Sequence, residues 1–283
     1  MNIVINAYAK INLSLDILGE QNGYHVLDTV MTSVNISDVV SLAMANDSGV
    51  TSVEFSDIID GEKSNVYKAM KIMEEEFGCP PSRAVIKQNI PQGAGLGGSS
   101  ADSAGIIRAY QMLYGLSDEN ALSVAVRIGS DVPFMLLGGT GRLIGTHSEI
   151  EYLPPLSGKV LLCGRGCVST ATCFAKFDER KETNIIKRSE KLSQSIRQRK
   201  KLTDCIQYFG NDLQSSAQTL CSDITNICEI MQSSRIKPSM TGSGSYVFGV
   251  GDITNLKNAS QKLQEYGYKT TITNLLPYGV KQV

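Results

Sequence analysis

The stretch from Pro91 to Gly105 reads PQGAGLGGSSADSAG. Before it, Ala84–Ile90 has the composition of a strand, and after it Ile106, Tyr110, Leu113 and Tyr114 recur at helical spacing up to Gly115. The glycines therefore join a strand to the start of a helix. A helix N-terminus presents N–H groups with no intrahelical partner and positive dipole potential, glycines let main chain wrap closely, and serine hydroxyls add donors. Together these describe an anion site. No Gly-Lys-Ser/Thr follows, so the loop is not a Walker A motif, and its spacing is not that of the dinucleotide fingerprint. The alternative is a structural turn before a helix; the length of the loop and its serines favour the anion site.

Working outward, Ile11–Ile17 alternates strictly. Ile11, Leu13, Leu15 and Ile17 face one way, while Asn12, Ser14 and Asp16 share the other face with Lys10. Asp28–Ala45 is expected to form a strand pair with Asn35–Asp38 as its turn. Ser64 precedes an expected helix whose apolar positions Val66, Met70, Met73 and Phe77 recur at three or four residues, ending at Gly78 before Pro80 and Pro81. A further helix runs from Ser117 to Gly129, followed by Ser130-Asp131-Val132 and Pro133, where proline disfavours a helical conformation for Val132. Gly138–Thr146 (GGTGRLIGT) reads as strand with tight turns. Pro154-Pro155 is the best domain boundary, giving expected domains 1–154 and 155–283.

Beyond that boundary the pattern gives a strand at Val160–Cys163, a basic helical region at Lys187–Lys201, and helices near Asp212–Leu220, Asp223–Gln232 and Leu256–Tyr266. Strands are expected at Tyr246–Gly249 and, last, at Lys269–Thr273. Elements mix without regular βαβ alternation, so the expected class is α+β in both halves. Glu190 and Asp204 interleave with the basic region, as does Glu182 just before it, which marks a solvated face.

Composition narrows the function classes. The chain has 283 residues, 27 basic against 28 acidic, and a net charge of −1, which offers a polyanion little counterion release and argues against a nucleic-acid partner. Charged residues make up 19% and hydrophobic residues 42%, excluding a coiled coil or an acidic disordered tail. No run of about 18 apolar residues suggests a membrane span, and the start of the chain lacks a signal-peptide pattern, so a cytoplasmic protein is expected. The 7 cysteines are odd in number with no C-x-x-C pair, which predicts small buried thiols, no disulfide framework and no metal centre. Of the 2 histidines, His147 lies in a polar stretch and reads as a surface turn residue. Twelve of the 26 glycines fall in three clusters, at 93–98, 138–145 and 242–251.

The residues Pro91–Ala101 resemble the phosphate-binding motif of the GHMP kinases. Ala9-Lys10-Ile11-Asn12-Leu13 followed by Gly23-Tyr24-His25, together with Gly129-Ser130-Asp131-Val132-Pro133-Phe134, is similar to the branch of that family acting on 4-diphosphocytidyl-2-C-methyl-D-erythritol. Ser64-Asn65-Val66, Asn211-Asp212-Leu213 and Thr241-Gly242-Ser243-Gly244 extend the resemblance along nearly the whole chain. The resemblance implies a two-domain fold, with a mixed α/β nucleotide-binding domain followed by a ferredoxin-like α+β domain. It also implies transfer of a phosphoryl group from ATP, with Mg²⁺ carried by the nucleotide, to a small-molecule alcohol in the non-mevalonate isoprenoid pathway.

On that resemblance Asp131 is the general base and Lys10 stands beside it. Pro91, Gly93, Ala94, Gly95, Leu96, Gly97, Gly98, Ser99, Ser100 and Asn65 hold ATP. Which of Ser99 and Ser100 meets phosphate is left open. Asn12, Tyr24, His25, Thr172, Phe174, Gly242 and Ser243 hold the substrate, with Tyr24 stacking on the base, His25 reading its polar edge, and Phe174 or Phe177 as the opposite wall. The alternatives are a GHMP kinase for another small alcohol and a non-catalytic ligand sensor on the same scaffold; the presence of both Lys10 and Asp131 disfavours the sensor. A monomer and a homodimer are equally compatible with the sequence.

Overall fold

The computed structural model describes residues 2–45, 49–56, 61–145, 149–180 and 187–283; His147 and Glu182 lie outside them. The first part of the chain forms strands β1 (Asn2–Gln21), β2 (Tyr24–Met44) and β3 (Ser52–Phe55), helix α1 (Asn65–Phe77), β4 (Ser82–Lys87), helices α2 (Gly98–Tyr114), α3 (Asp118–Ile128) and α4 (Val132–Leu137), then β5 (Thr140–Gly145) and β6 (Ile150–Leu153). There follow β7 (Lys159–Cys163), α5 (Thr170–Asp178), α6 (Arg188–Arg197), a 3-10 turn (Leu202–Tyr208), β8 (Gly210–Asn211), α7 (Gln214–Leu220) and α8 (Ser222–Ser233). The chain closes with β9 (Lys237–Met240), β10 (Val247–Val250), α9 (Ile253–Glu265), β11 (Thr270–Leu276) and β12 (Val280–Gln282).

The long antiparallel pair β1–β2 is the spine. β2 also pairs with β4, β5 and the end of β11, and β1 with β12 and, in parallel, β8. In the second half the strand order β11-β7-β10-β9 is antiparallel throughout, with α8 leading into β9 and α9 joining β10 to β11. This is the ferredoxin-like βαββαβ arrangement and, with the mixed first half, makes the fold α+β as expected.

The helix caps behave as their residue types require. Ser64 Oγ accepts from Tyr67 N, Ser117 Oγ accepts from Asn120 N, and Gly78 takes the left-handed conformation (φ 65°) while its N–H closes on Met73 O. Gly105 permits close packing of α2 on the spine, since a Cβ there would lie 2.9 Å from Val40 Cγ2. Ile11 and Leu13 join the main core beneath α2, whereas Leu15 and Ile17 join a second core formed with α7, α8 and α9. One strand thus feeds both apolar clusters.

Several expectations are corrected. Asp28–Ala45 is not a strand pair but part of the single strand β2. Its register against β1 passes from Tyr8↔Ser37 to Ala9↔Val34, so Asn35 and Ile36 are accommodated as a bulge rather than a turn. β4 ends at Lys87, because the N–H groups of Asn89 and Ile90 turn to the Asp38 carboxylate instead of a neighbouring strand. Helix begins at Val132 despite the following proline, which sits in the first turn, where its missing N–H costs no hydrogen bond. β12 follows the strand expected to be last.

Candidate active site

The loop between β4 and α2 is held open by three glycines in left-handed conformation: Gly93, Gly95 and Gly97, with φ of 62°, 73° and 77°. A Cβ on Gly95 would stand 2.1 Å from Thr241 O, and one on Gly97 would meet Met135 Cε at 2.9 Å and Lys10 Cε at 3.2 Å. The first and third glycine clusters are therefore in direct contact. Thr241 Oγ1 donates to Gly95 O at 3.1 Å, Tyr246 N donates to Ala94 O at 3.3 Å, and Lys10 N donates to Leu96 O at 3.0 Å. The first helical bond at this end of α2 runs from Ala101 N to Gly97 O. The N–H groups of Gly98, Ser99 and Ser100 thus have no intrahelical acceptor and suit an oxyanion.

Facing this turn, β1 contributes Lys10 and Asn12. Lys10 Nζ donates to Asn12 Oδ1 at 2.6 Å and lies 3.6 Å from Asp131 Oδ2. Asp131 starts α4 but spends no carboxylate bond on capping it, and its side chain is 34% exposed where that of Lys10 is only 6% exposed. The charge pair thus has a buried cation and an accessible carboxylate, which suits an exchange of protons with a bound alcohol. Asn12 is the hub behind it. Its Oδ1 also accepts from Gly242 N at 3.0 Å, and its Nδ2 donates to Thr29 Oγ1 at 2.8 Å. Asn211 fixes the same turn by donating to Met240 O and Gly242 O while accepting from Leu213 N.

These groups open onto one cleft of about 640 Å³. Lys10, Asn12, Asp131, Pro91, Gly93–Ser100, Phe174, Gly242 and Ser243 all line it. Asn65, the first residue of α1, and Tyr24, His25 and Thr172 are not part of its wall. Tyr24 is 71% exposed near the hairpin end of the spine. His25 Nε2 lies 2.8 Å from Asp178 Oδ1, and its ring stacks on Phe174 (4.6 Å, 28°) and meets the Phe177 ring nearly edge-on (6.2 Å, 80°). Since Phe174 lines the cleft, the stack continues the cleft wall outward. Thr172 N–H caps onto Ser169 Oγ.

The sequence reading did not single out Thr29, Asp38, Ser130 or Thr170, all on the cleft wall, nor the role of Thr241 in bracing the loop. Thr170 shares a hydrogen bond with Ser243 across the second half of the site. Thr241 stands inside a quoted motif, so its position was available; Thr170 has no local signal, since only the fold brings it to Ser243. Of the cysteines, five are buried, Cys221 is partly buried and Cys167 is exposed. Burial pushes the thiols of Cys163 and Cys228 up to about 12, which leaves them inert.

Residues 64–139 match the model of the GHMP kinase N-terminal domain. A 4-diphosphocytidyl-2-C-methyl-D-erythritol kinase of Pelotomaculum thermopropionicum is 32% identical over 277 residues, covering 94% of each chain. Its counterpart from Moorella thermoacetica is 29% identical over 282 residues, 97% of this chain and 99% of the relative. Among solved structures, a 4-(cytidine 5'-diphospho)-2C-methyl-D-erythritol kinase superposes with a TM-score of 0.78 at 24% identity, covering 97% of this chain and 99% of the other. A homoserine kinase from Cytophaga hutchinsonii superposes with a TM-score of 0.77 at 16% identity, covering 100% and 97%. The glycine turn, the paired Lys10 and Asp131, and end-to-end similarity all agree: the chain is an ATP-dependent phosphotransferase and belongs to the 4-diphosphocytidyl-2-C-methyl-D-erythritol kinase family of the GHMP kinases.

Proposed function

We propose that this kinase phosphorylates the 2-hydroxyl of 4-diphosphocytidyl-2-C-methyl-D-erythritol, giving the 2-phosphate and ADP in the non-mevalonate route to isoprenoid precursors. The observation that carries the reading is the Lys10–Asp131 pair, 3.6 Å apart, on the wall of the cleft that the glycine turn also lines. The free N–H groups at Gly98, Ser99 and Ser100 hold triphosphate oxygens, and Pro91, Gly93 and Ala94–Gly97 shape the turn around them. Asn65 is assigned to the nucleotide side. Asp131 takes the proton of the attacking hydroxyl as its oxygen bonds to the γ-phosphorus; the bond from that phosphorus to the bridging oxygen breaks and ADP leaves. Lys10, beside Asp131, stabilises the charge that develops on the reacting oxygens.

Asn12, Gly242 and Ser243 form the substrate floor, with Tyr24, His25, Thr172 and Phe174 assigned to the cytidyl end. The His25–Phe174 stack supports a base-binding wall there. Mg²⁺ is assigned to the nucleotide itself. Asp38 is committed to two backbone amides and Asp131 stands beside Lys10, so the cleft leaves the ion phosphate and water oxygens rather than a carboxylate cage. The division into domains 1–154 and 155–283, a cytoplasmic location, action on a small molecule without nucleic-acid or membrane partners, and a monomeric or homodimeric state complete the reading. Among the described residues no helix is long and apolar enough to cross a membrane. Coupled ADP release should be rapid with the cytidyl substrate and near background with mevalonate, galactose and homoserine. Preference for any of the other three would overturn the assignment.

A further inference from the structure

Two carboxyls unused by phosphoryl transfer lie beneath the glycine turn. Asp38 comes from β2 just past the bulge and Asp102 from the start of α2, and each is 1% exposed. Asp38 Oδ1 accepts the N–H groups of Asn89 at 2.5 Å and Ile90 at 2.7 Å, the residues that lead into the turn. Asp38 Oδ2 and Asp102 Oδ1 are both fully buried with no hydrogen-bond partner among the described residues, and the two carboxyls lie against each other. A Cβ on Gly98, the first residue of α2, would lie 3.9 Å from Asp38 Oδ2, so the pair sits directly under the proposed phosphate site.

Two bare carboxylates in a dry contact repel and leave their facing oxygens unsatisfied, whereas one proton between them makes an O–H···O⁻ bond that meets both needs. Burial and the adjoining Asp38 raise the Asp102 carboxyl to about 9, and burial also raises Asp38. The groups acting on the pair are the amides of Asn89 and Ile90 from the turn and each carboxyl on the other; among the described residues no basic side chain bears on either.

We infer that Asp38 and Asp102 share one proton and act as positioning residues for ATP, fastening the entrance of the glycine turn to the first turns of α2 and keeping a single negative charge beneath the triphosphate. The inference rests on the turn being the ATP cradle. When the shared proton leaves, a second negative charge appears under the N-terminus of α2. That charge offsets the positive end of the α2 dipole, repels the bound phosphates and pushes Asp38 away from Asp102. Nucleotide affinity suffers first, because Lys10 and Asp131 stand on other elements.

The test is steady-state ADP release at saturating cytidyl substrate with ATP varied from about pH 7 to pH 10, for the wild type, Asp102→Asn and Asp38→Asn. Each amide supplies an N–H in place of the shared proton and has none to lose. The wild-type KM for ATP should rise about three- to tenfold across the alkaline range, more than kcat falls, while both variants show a flat KM profile. Every other group is common to the three proteins, so the difference between them is the readout. If Asp102→Asn fails to fold, Asp38→Asn answers alone. A variant KM that climbs with pH in parallel with the wild type overturns the inference. Failure of the cradle reading is separate: Gly95→Ala would then leave the KM for ATP unchanged at every pH.

Discussion

Replacing Gly95 by alanine probes the contact that joins the two halves of the site. The new Cβ would lie 2.1 Å from Thr241 O and 2.9 Å from Thr241 C, and both are backbone atoms with no rotamer to escape into. Relief requires separating the 93–97 turn from the 241–244 turn by about 1 Å. That movement breaks the bonds from Thr241 Oγ1 to Gly95 O and from Tyr246 N to Ala94 O. Two lost hydrogen bonds contribute about 1 kcal/mol each, and an L side chain at φ 73° adds about 1–2 kcal/mol, for a total of about 3–4 kcal/mol. Gly115→Ala is the control: φ is 65°, nothing lies within 4 Å of its Cβ, and only the backbone cost of about 1–2 kcal/mol applies. By calorimetry Gly95→Ala should lower Tm by about 6–16 °C and Gly115→Ala by about 2–8 °C. The KM of Gly95→Ala for ATP should rise at least about tenfold, since the cradle has moved. Equal Tm losses in the two variants, with an unaltered KM for ATP in Gly95→Ala, would refute both the clash and the cradle argument.

Asp131→Asn should reduce kcat by about 10²- to 10⁴-fold while ATP still binds, because the amide keeps the shape but accepts no proton; turnover at the wild-type rate would reject Asp131 as base. His25→Ala should raise the KM for the cytidyl substrate much more than that for ATP, and an equal rise in both would remove His25 from the substrate end. Arg142 meets buried Asp28 through two bonds, Nε to Oδ1 at 2.8 Å and Nη2 to Oδ2 at 2.6 Å. Arg142→Met strands that carboxylate and should cost about 3–5 kcal/mol in urea unfolding. A cost below about 1 kcal/mol would mean that water reaches Asp28.

Local chemistry was legible wherever a residue acts on its near neighbours. Ser64, Gly78, Ser117 and Gly115 do what their types dictate within a few positions, and the helix boundaries follow. The glycine turn was legible for the same reason. Asn35–Asp38 was misread because a polar run looks alike in a turn and in a bulge; the choice is made by β1, whose register absorbs two extra residues there. The same error hid Asp38. As a turn residue it would be solvated, but past a bulge it points inward to the amides of Asn89 and Ile90 and to Asp102. Its partner is 64 positions away, and nothing in the spacing announces a shared proton. Lys10 and Asp131 are separated by 121 positions, and their 3.6 Å approach follows only from α4 packing against β1.

The alternation along Ile11–Ile17 carries more than its hydrophobic half. In an ordinary edge strand the polar face meets water, but here both faces of β1 are buried from Ala7 to Asp16. The register against β2 shifts between Asn12 and Ser14, so Lys10 and Asn12 face the cleft together with Leu15 while Ser14 and Asp16 face the other way, and each of these buried polar side chains is obliged to find a partner. Lys10 finds Asn12 and Asp131, Asn12 finds Thr29 and Gly242, Ser14 finds Ser189, and Asp16 finds Ser189 N and Arg188. Because side chains alternate with a period of two, a slip of one residue would carry Lys10 and Asn12 into the apolar core and turn Ile11 toward the cleft. The cost of stranding an ammonium and an amide there fixes the register more strongly than either apolar cluster does. The polar face that positions the proposed reaction is thus also what holds the central strand in place.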